Sequence, residues 1–116
     1  MRETLDAEPA EAVAIEAFEG ERQLSVGLIA PDPDVTGAWR VRGMATVPSD
    51  RHRGAGGAVL AALLDIARAE GAVSVWCNVR TPARALYERA GFSAVTDEFE
   101  LPKIGPHYRM ELDLNR

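Results

Sequence analysis

Val47-Pro48-Ser49-Asp50-Arg51-His52-Arg53-Gly54-Ala55-Gly56-Gly57-Ala58-Val59-Leu60 stands where a strand pattern gives way to a helix pattern. Before it, Trp39-Arg-Val-Arg-Gly-Met-Ala-Thr-Val47 alternates large apolar with polar residues in its first half, which predicts a strand over 39–47 stopped at Pro48. After it, Val59, Leu60, Leu63, Leu64 and Ala67 recur at helical spacing until Gly71, a helix terminator, so an amphipathic helix is expected over 54–70. Val73-Ser-Val-Trp-Cys77 follows as a short β-rich run. Strand, helix and strand make a right-handed βαβ unit whose strands 39–47 and 73–79 pair in parallel.

Thr81 and Pro82 look like an N-cap and the first helical residue, and Ala83, Leu86, Tyr87 and Ala90 repeat the helical spacing up to Gly91, giving a second helix over about 82–91. Phe92 to Phe99 and Tyr108 to Leu114 are expected as closing strands around the loop Leu101 to His107. Toward the N-terminus, Ala12 to Phe18 and Leu24 to Ile29 read as a hairpin around Glu19-Gly-Glu-Arg22, and Pro31-Asp-Pro-Asp34 with Gly37 is the densest loop signal. Residues 1–9 carry no period and are expected to be a flexible arm; residues 10–116 are expected to form one domain of mixed α/β (α+β) class.

The chain has 116 residues, 47% hydrophobic and 27% charged, which suits one soluble globular domain. The net charge is −5 and the basic residues are scattered, so no footprint for a nucleic-acid backbone is expected. A single cysteine, Cys77, makes no internal disulfide, and the N-terminus lacks the basic-then-apolar pattern of a signal peptide, which points to the cytoplasm. No run approaches the roughly 18 apolar residues of a membrane span. One Cys and two distant His give no metal-ligand spacing.

Glycines at 54, 56 and 57 let the backbone approach a ligand, and the first turn of the following helix leaves amides without intrahelical partners. Together with the positive helix end they suit a pyrophosphate, to which Arg51 and Arg53 can add charge-assisted hydrogen bonds. The same glycines also serve any tight strand-to-helix turn. A Walker loop would end in Gly-Lys-Ser/Thr, where Gly56-Gly57-Ala58 stands instead, and a dinucleotide fingerprint would need a glycine at Val59.

The string from Val47 to Leu60 resembles the acetyl-CoA-binding motif R/Q-x-x-G-x-G/A of the GNAT superfamily, with Arg51, Gly54 and Gly56 in its defining places. Ala83-Arg-Ala-Leu-Tyr87-Glu-Arg-Ala-Gly91-Phe92 resembles that family's second landmark, A-x-x-L-Y-E-x-x-G-F. The resemblance covers about residues 12–114, and several segments look like a bacterial subgroup of the family. It implies a splayed sheet, acetyl-CoA as co-substrate and transfer of an acetyl group to a primary amine. Met44, Ala45, Thr46 and Val47 would present a strand edge to the pantetheine arm, and amides of His52, Arg53, Gly54, Ala55, Gly56 and Gly57 would hold the pyrophosphate. Tyr87 would be the general acid, since a departing thiolate needs a proton or a hydrogen bond.

The family pattern is not complete. An Asn that often touches the cofactor three places before the alanine of A-x-x-L-Y is here Arg80; Asn78 lies nearby and could substitute, although an Asn at a strand end also serves as a turn residue. Segment 39–47 contains no carboxylate, so the general base is unassigned. His107, placed by Gly105-Pro106, could move a proton or be structural, and His52 offers its backbone amide. Cys77 reads as a small core residue near a thioester. The strand and two helices that usually open such domains, walling the acceptor site, do not fit before residue 12. A homodimer in which a second copy supplies that wall, an open cleft, and a non-catalytic acyl-CoA-binding or interaction module are the alternatives, with a structural domain whose glycine loop is only a turn as a further one.

Overall fold

Three antiparallel strands open the structure: β1 (Val13–Glu19), β2 (Arg22–Pro31) and β3 (Ala38–Thr46). This is a computed structural model, and it describes residues 12–48 and 54–115; the expected arm at 1–9 and the residues Arg51, His52 and Arg53 lie outside that set. The β1–β2 turn is closed by Gly20 in the left-handed region at φ 62°. β2 is the central strand of the three, and its residues Ser25 to Ala30 are buried on both faces.

The glycine segment leads into α1 (Ala55–Ala69), preceded by Gly54 at φ 99°. Its buried residues Gly56, Val59, Leu60, Leu63, Leu64 and Ala67 form one stripe, laid across β1, β2 and β3. Each large side chain of that stripe contributes roughly 1.5–3 kcal/mol by leaving water. The close approach of helix and sheet needs Gly27, where a Cβ would come within 2.5 Å of Met44 Sδ and 2.8 Å of Leu63 Cδ1. The helix ends as expected at Gly71, whose N–H and that of Ala72 bond back to Arg68 and Ala67 carbonyls.

β4 (Ser74–Arg80) runs parallel to β3, completing the expected βαβ unit. The next helix differs at its start. Thr81–Ala83 is a 3-10 turn with Pro82 in its first residues, and the α-helix proper, α2, is Arg84–Arg89. Thr81 caps nothing; its hydroxyl donates to Glu98 Oε2 at 2.7 Å instead and so ties the turn to the chain ahead of β6. The segment Phe92 to Phe99 is not one strand: β5 (Ser93–Ala94) and β6 (Phe99–Leu101) are separate pieces, both paired with β7 (Gly105–Asp113). The loop expected up to His107 closes sooner, because Lys103 at φ 68° completes a tight β6–β7 hairpin at 102–104.

The sheet order is β1-β2-β3-β4-β7-β5, with β6 also on β7. One face carries α1, α2 and the core, including Trp39, Val41, Val75, Cys77, Val79, Tyr87, Phe92 and Met110. The mixed α/β architecture with helices near 54–70 and 82–91 is therefore present. Among the described residues no helix is long and apolar enough to cross a membrane.

Candidate functional site

The sheet parts between β3 and β4. Their register contains only Ala38↔Ser74, Trp39↔Val75 and Arg40↔Trp76, yet β3 continues to Thr46 and β4 to Arg80. On its other side β4 stays paired with β7 along its whole length, from Ser74↔Asp113 to Arg80↔His107. Two strand edges beyond Arg40 and Trp76 are thus left facing a V-shaped opening. The cause lies in β3: its register with β2 jumps from Ile29↔Val41 to Leu28↔Gly43, so Arg42 is the extra residue of a bulge. A bulge bends and twists its strand, and this one bends β3 immediately after its last contact with β4.

At the wide end of the V, α1 begins beside the end of β3. A Cβ on Gly56 would stand 3.0 Å from Thr46 Oγ1 and 3.7 Å from Leu86 Cδ2 of α2. Thr46 is itself fixed, its hydroxyl 2.9 Å from Ser25 Oγ, which also donates to the Ala45 carbonyl at 3.1 Å. Among the described residues no side chain caps the start of α1, and a Cβ on Gly54 would meet none of them within 4 Å. First-turn amides without intrahelical partners and the positive helix end therefore lie next to the strand edge, a donor set suited to phosphate oxygens. Between the helices a groove of about 360 Å³, lined by Gly57, Leu60, Leu64, Arg68, Leu86 and Arg89, starts at the same end of α1.

Of the strand-edge residues expected there, Val47 donates its N–H to the Leu24 carbonyl at 2.9 Å, so that amide is taken up by β2. Backbone groups alternate between the two edges of a strand, which puts those of Ala45 with Val47 and leaves those of Met44 and Thr46 on the side of the V. Of the four residues Met44 to Val47 expected at that edge, Met44 and Thr46 turn their backbone groups to the V, and Ala45 and Val47 turn theirs to β2.

Tyr87 sits at the apex. Its hydroxyl is 3.9 Å from Sγ of Cys77, the first β4 residue beyond the last β3–β4 pair. The ring packs edge-on against Phe92 with centroids 5.4 Å apart, and the residue is 4% exposed. Burial first, then the neighbouring Cys77, raises the phenol above its ordinary pKa, so Tyr87 stays protonated. Cys77 is 6% exposed and burial pushes its thiol up to about 11, which keeps it an un-ionised core residue. Its one proton has two acceptors in reach, the Tyr87 hydroxyl and the Asn78 carbonyl at 3.4 Å.

Asn78 is half-buried on β4, pointing to the face away from the helices and paired with Arg109. His107 lies inside β7 rather than at a turn, 4% exposed, with Nδ1 at 2.8 Å from the Gly105 carbonyl and its ring tilted against Phe99. Both therefore stand apart from the Tyr87 side of the sheet.

Sequence reasoning passed over the face opposite the helices. There the guanidinium carbons of Arg40 and Arg109 both lie over the Trp76 ring, 4.5 Å and 3.9 Å from the indole centroid, while its Nε1 donates to Asp32 Oδ2 at 2.8 Å. The loss of alternation at Arg42-Gly43 was the available signal for the bulge, since a glycine inside a strand often marks one.

Residues 1–92 match the Acetyltransferase (GNAT) family. Over 73 residues the chain is 33% identical to a protein of Bacillus subtilis (strain 168) described as uncharacterized N-acetyltransferase YitI, covering 63% of this chain and 49% of that protein; the chain thus spans about half the length of the curated relative it matches. Among solved structures it resembles the ribosomal-protein-S18-alanine N-acetyltransferase of Escherichia coli, with TM-score 0.78 and 20% identity over 97% of this chain and 76% of that one. It also resembles a Bacillus subtilis acetyltransferase solved in complex with CoA, with TM-score 0.76 and 16% identity over 97% and 84%. The matched stretch runs through the parted strands, the helix that opens beside them and the helix bearing Tyr87, and the chain belongs to the acetyltransferase (GNAT) family.

Proposed function

We propose that the chain transfers the acetyl group of acetyl-CoA to a primary amine of a small molecule or peptide by direct attack. The observation that carries this reading is the parting of β3 from β4 after Arg40↔Trp76, with the Tyr87 hydroxyl at the fork and the start of α1 at the open end. The free edges of Met44 and Thr46 bind the amide-bearing pantetheine arm as a neighbouring strand would be bound. Amides of Gly54 to Gly57, with Arg51, His52 and Arg53, hold the pyrophosphate. Asn78, on the β4 edge, is the remaining polar contact.

Acetyl-CoA supplies an activated thioester. The neutral amine attacks its carbonyl carbon; the C–N bond forms, the C–S bond breaks, and sulfur departs with the electron pair while the amine gives its surplus proton to water. Tyr87 donates a hydrogen bond to that sulfur. Its raised pKa makes complete proton transfer to a thiolate of ordinary pKa about 8.5 uphill, so its contribution is to stabilise the leaving charge until solvent protonates it.

Calorimetric titration of acetyl-CoA into the protein, alongside Arg51→Ala and Gly56→Val, tests the reading. Saturable binding that both changes weaken, followed by turnover with amines, is expected. No heat and no thermal stabilisation at millimolar ligand would overturn it. Binding without turnover, and with a silent Tyr87→Phe, would leave a non-catalytic acyl-CoA-binding module, the reading that the burial of Tyr87 favours.

A further inference from the structure

The helix face of the fork is filled: Tyr87, Cys77 and Phe92 are 4%, 6% and 3% exposed. A second reactant must come from the other face, where no described helix lies and the Arg109 and Glu111 side chains are 38% and 43% exposed. Alternation along β3 and β4 puts Arg40, Trp76 and Asn78 on that face, and Arg40 and Trp76 are the last pair before the strands part. The side chains displayed there therefore border the approach to the thioester.

Their charges are unevenly matched. Arg109 is paired with Glu111 at 2.9 Å, and Asp32, held ionised by the Asp34 amide and the indole N–H, is bound to Trp76. The Arg40 guanidinium carbon lies over the same indole, 4.5 Å from its centroid, and Arg40 forms no ion pair with any described residue. Its Nε is buried and has no hydrogen-bond partner among the described residues. A buried guanidinium N–H without an acceptor is unusual in a settled structure, and the charge it belongs to has no counter-ion among the described residues. Its contact with the Trp76 ring restricts the guanidinium in advance, and a guanidinium fork matches a carboxylate in two-point fashion.

We propose that Arg40, over Trp76 beside the fork, binds a carboxylate of the acetyl acceptor, so that the amines acetylated are those that carry a carboxylate. This rests on the acetyltransferase reading and adds a substrate class to it. The charge of the anion is limited by the same cluster: Asp32 accepts from the Trp76 indole and Glu111 is the cross-strand partner of Trp76, and a dianion such as a phosphate monoester would be repelled by both. A monoanionic carboxylate meets one cation with less opposition.

The test compares matched acceptors on the full chain, following CoA thiol release: β-alanine against propylamine, γ-aminobutyrate against butylamine, free α-amino acids against their α-amides, and phosphoethanolamine as the dianion. The wild-type kcat/KM should favour carboxylate over neutral partner by on the order of tenfold to a hundredfold, the span of a hydrogen bond to a charged group. In Arg40→Gln that ratio should fall toward one, and Arg40→Lys should restore part of it. Equal use of neutral amines, a preference for phosphoethanolamine, or an Arg40→Gln change that lowers both partners alike would overturn the proposal. The wild-type ratio alone decides the matter if the variants fail to fold. Saturable acetyl-CoA binding with no carboxylate amine consumed also overturns it, while leaving the cofactor side standing; absence of acetyl-CoA binding is the separate failure of the acetyltransferase reading.

Discussion

Gly56, in the first turn of α1, lies so near Thr46 at the end of β3 that a Cβ there would stand 3.0 Å from Thr46 Oγ1. Thr46 cannot swing aside freely, because its hydroxyl is held 2.9 Å from Ser25 Oγ of β2. The helix start is in this way pressed onto the strand whose edge borders the V, and the first-turn amides of α1 are set relative to the Met44 and Thr46 backbone.

Enlarging residue 56 should separate the two. Gly56→Ala gains about 1 kcal/mol of helix propensity and loses a similar amount at the Thr46 contact, so it should stay within about 1 kcal/mol of wild type. Gly56→Val adds two further carbons to the same gap and should cost about 1–3 kcal/mol, with acetyl-CoA affinity lowered at least about tenfold. Urea denaturation and calorimetry read both; a valine variant with unchanged midpoint and affinity would show that the contact does not set the site.

Gly27 is a purely structural counterpart. A Cβ there would be 2.5 Å from Met44 Sδ, 2.8 Å from Leu63 Cδ1 and 3.0 Å from Val59 Cγ1, so α1 and β2 touch with no room for a methyl. Gly27→Ala should destabilise by about 1–3 kcal/mol through overpacking, despite the alanine's lower unfolded-chain entropy. Pairing it with Met44→Ala, which removes the closest atoms, should recover part of the loss in a double-mutant comparison of denaturation midpoints.

The elements were legible where a strong local rule applied. Leu60, Leu63, Leu64 and Ala67 at helical spacing and Gly71 at φ 83° marked α1 to within a residue or two. Thr81 failed as a cap because Glu98, seventeen positions on, competes for its hydroxyl, a tertiary contact that no local pattern contains. The break between β5 and β6 has a similar origin, since Val95 N bonds to the Arg109 carbonyl and Thr96 Oγ1 accepts from the Arg109 amide, turning the chain off the strand path. In the proposed site, the places of Gly54, Gly56 and Tyr87 follow from motif order. The free edge of Met44 and Thr46, by contrast, depends on a register jump at Arg42, and the Arg40–Trp76–Arg109 cluster depends on three strands meeting.

The buried thiol makes stability fall at alkaline pH. Cys77 ionises near 9.0 when exposed and at about 11 in the fold, so the folded state holds its proton more tightly than the unfolded chain does. The stabilisation is fully present below pH 9 and is lost as pH rises through 9 to 11, reaching about 2 to 3 kcal/mol for a two-unit shift. Tyr87, also raised by burial, adds to the same slope above its exposed value of 10.0. Urea midpoints between pH 8 and pH 11 should fall in wild type and fall less steeply in Cys77→Ala; an identical slope in the variant would remove Cys77 from the account.

Tyr87→Phe separates catalysis from packing. The phenyl ring keeps the edge-on contact with Phe92, and only a hydroxyl whose near partner is a weak sulfur donor at 3.9 Å is lost, so stability should change by less than about 1 kcal/mol. If the hydroxyl stabilises the leaving sulfur, kcat should drop by about 10²- to 10⁴-fold while acetyl-CoA affinity holds. The pH profile adds a check that a structural role would not move. Because Tyr87 stays protonated well above its ordinary range, wild-type activity should keep rising with pH as the acceptor amine loses its proton, with no alkaline fall from Tyr87 below pH 10. The Phe variant should show the same rise at a lower level. A variant with wild-type kcat would assign the chemistry at the fork to the bound amine and the backbone alone, and would return Tyr87 to the core that surrounds it.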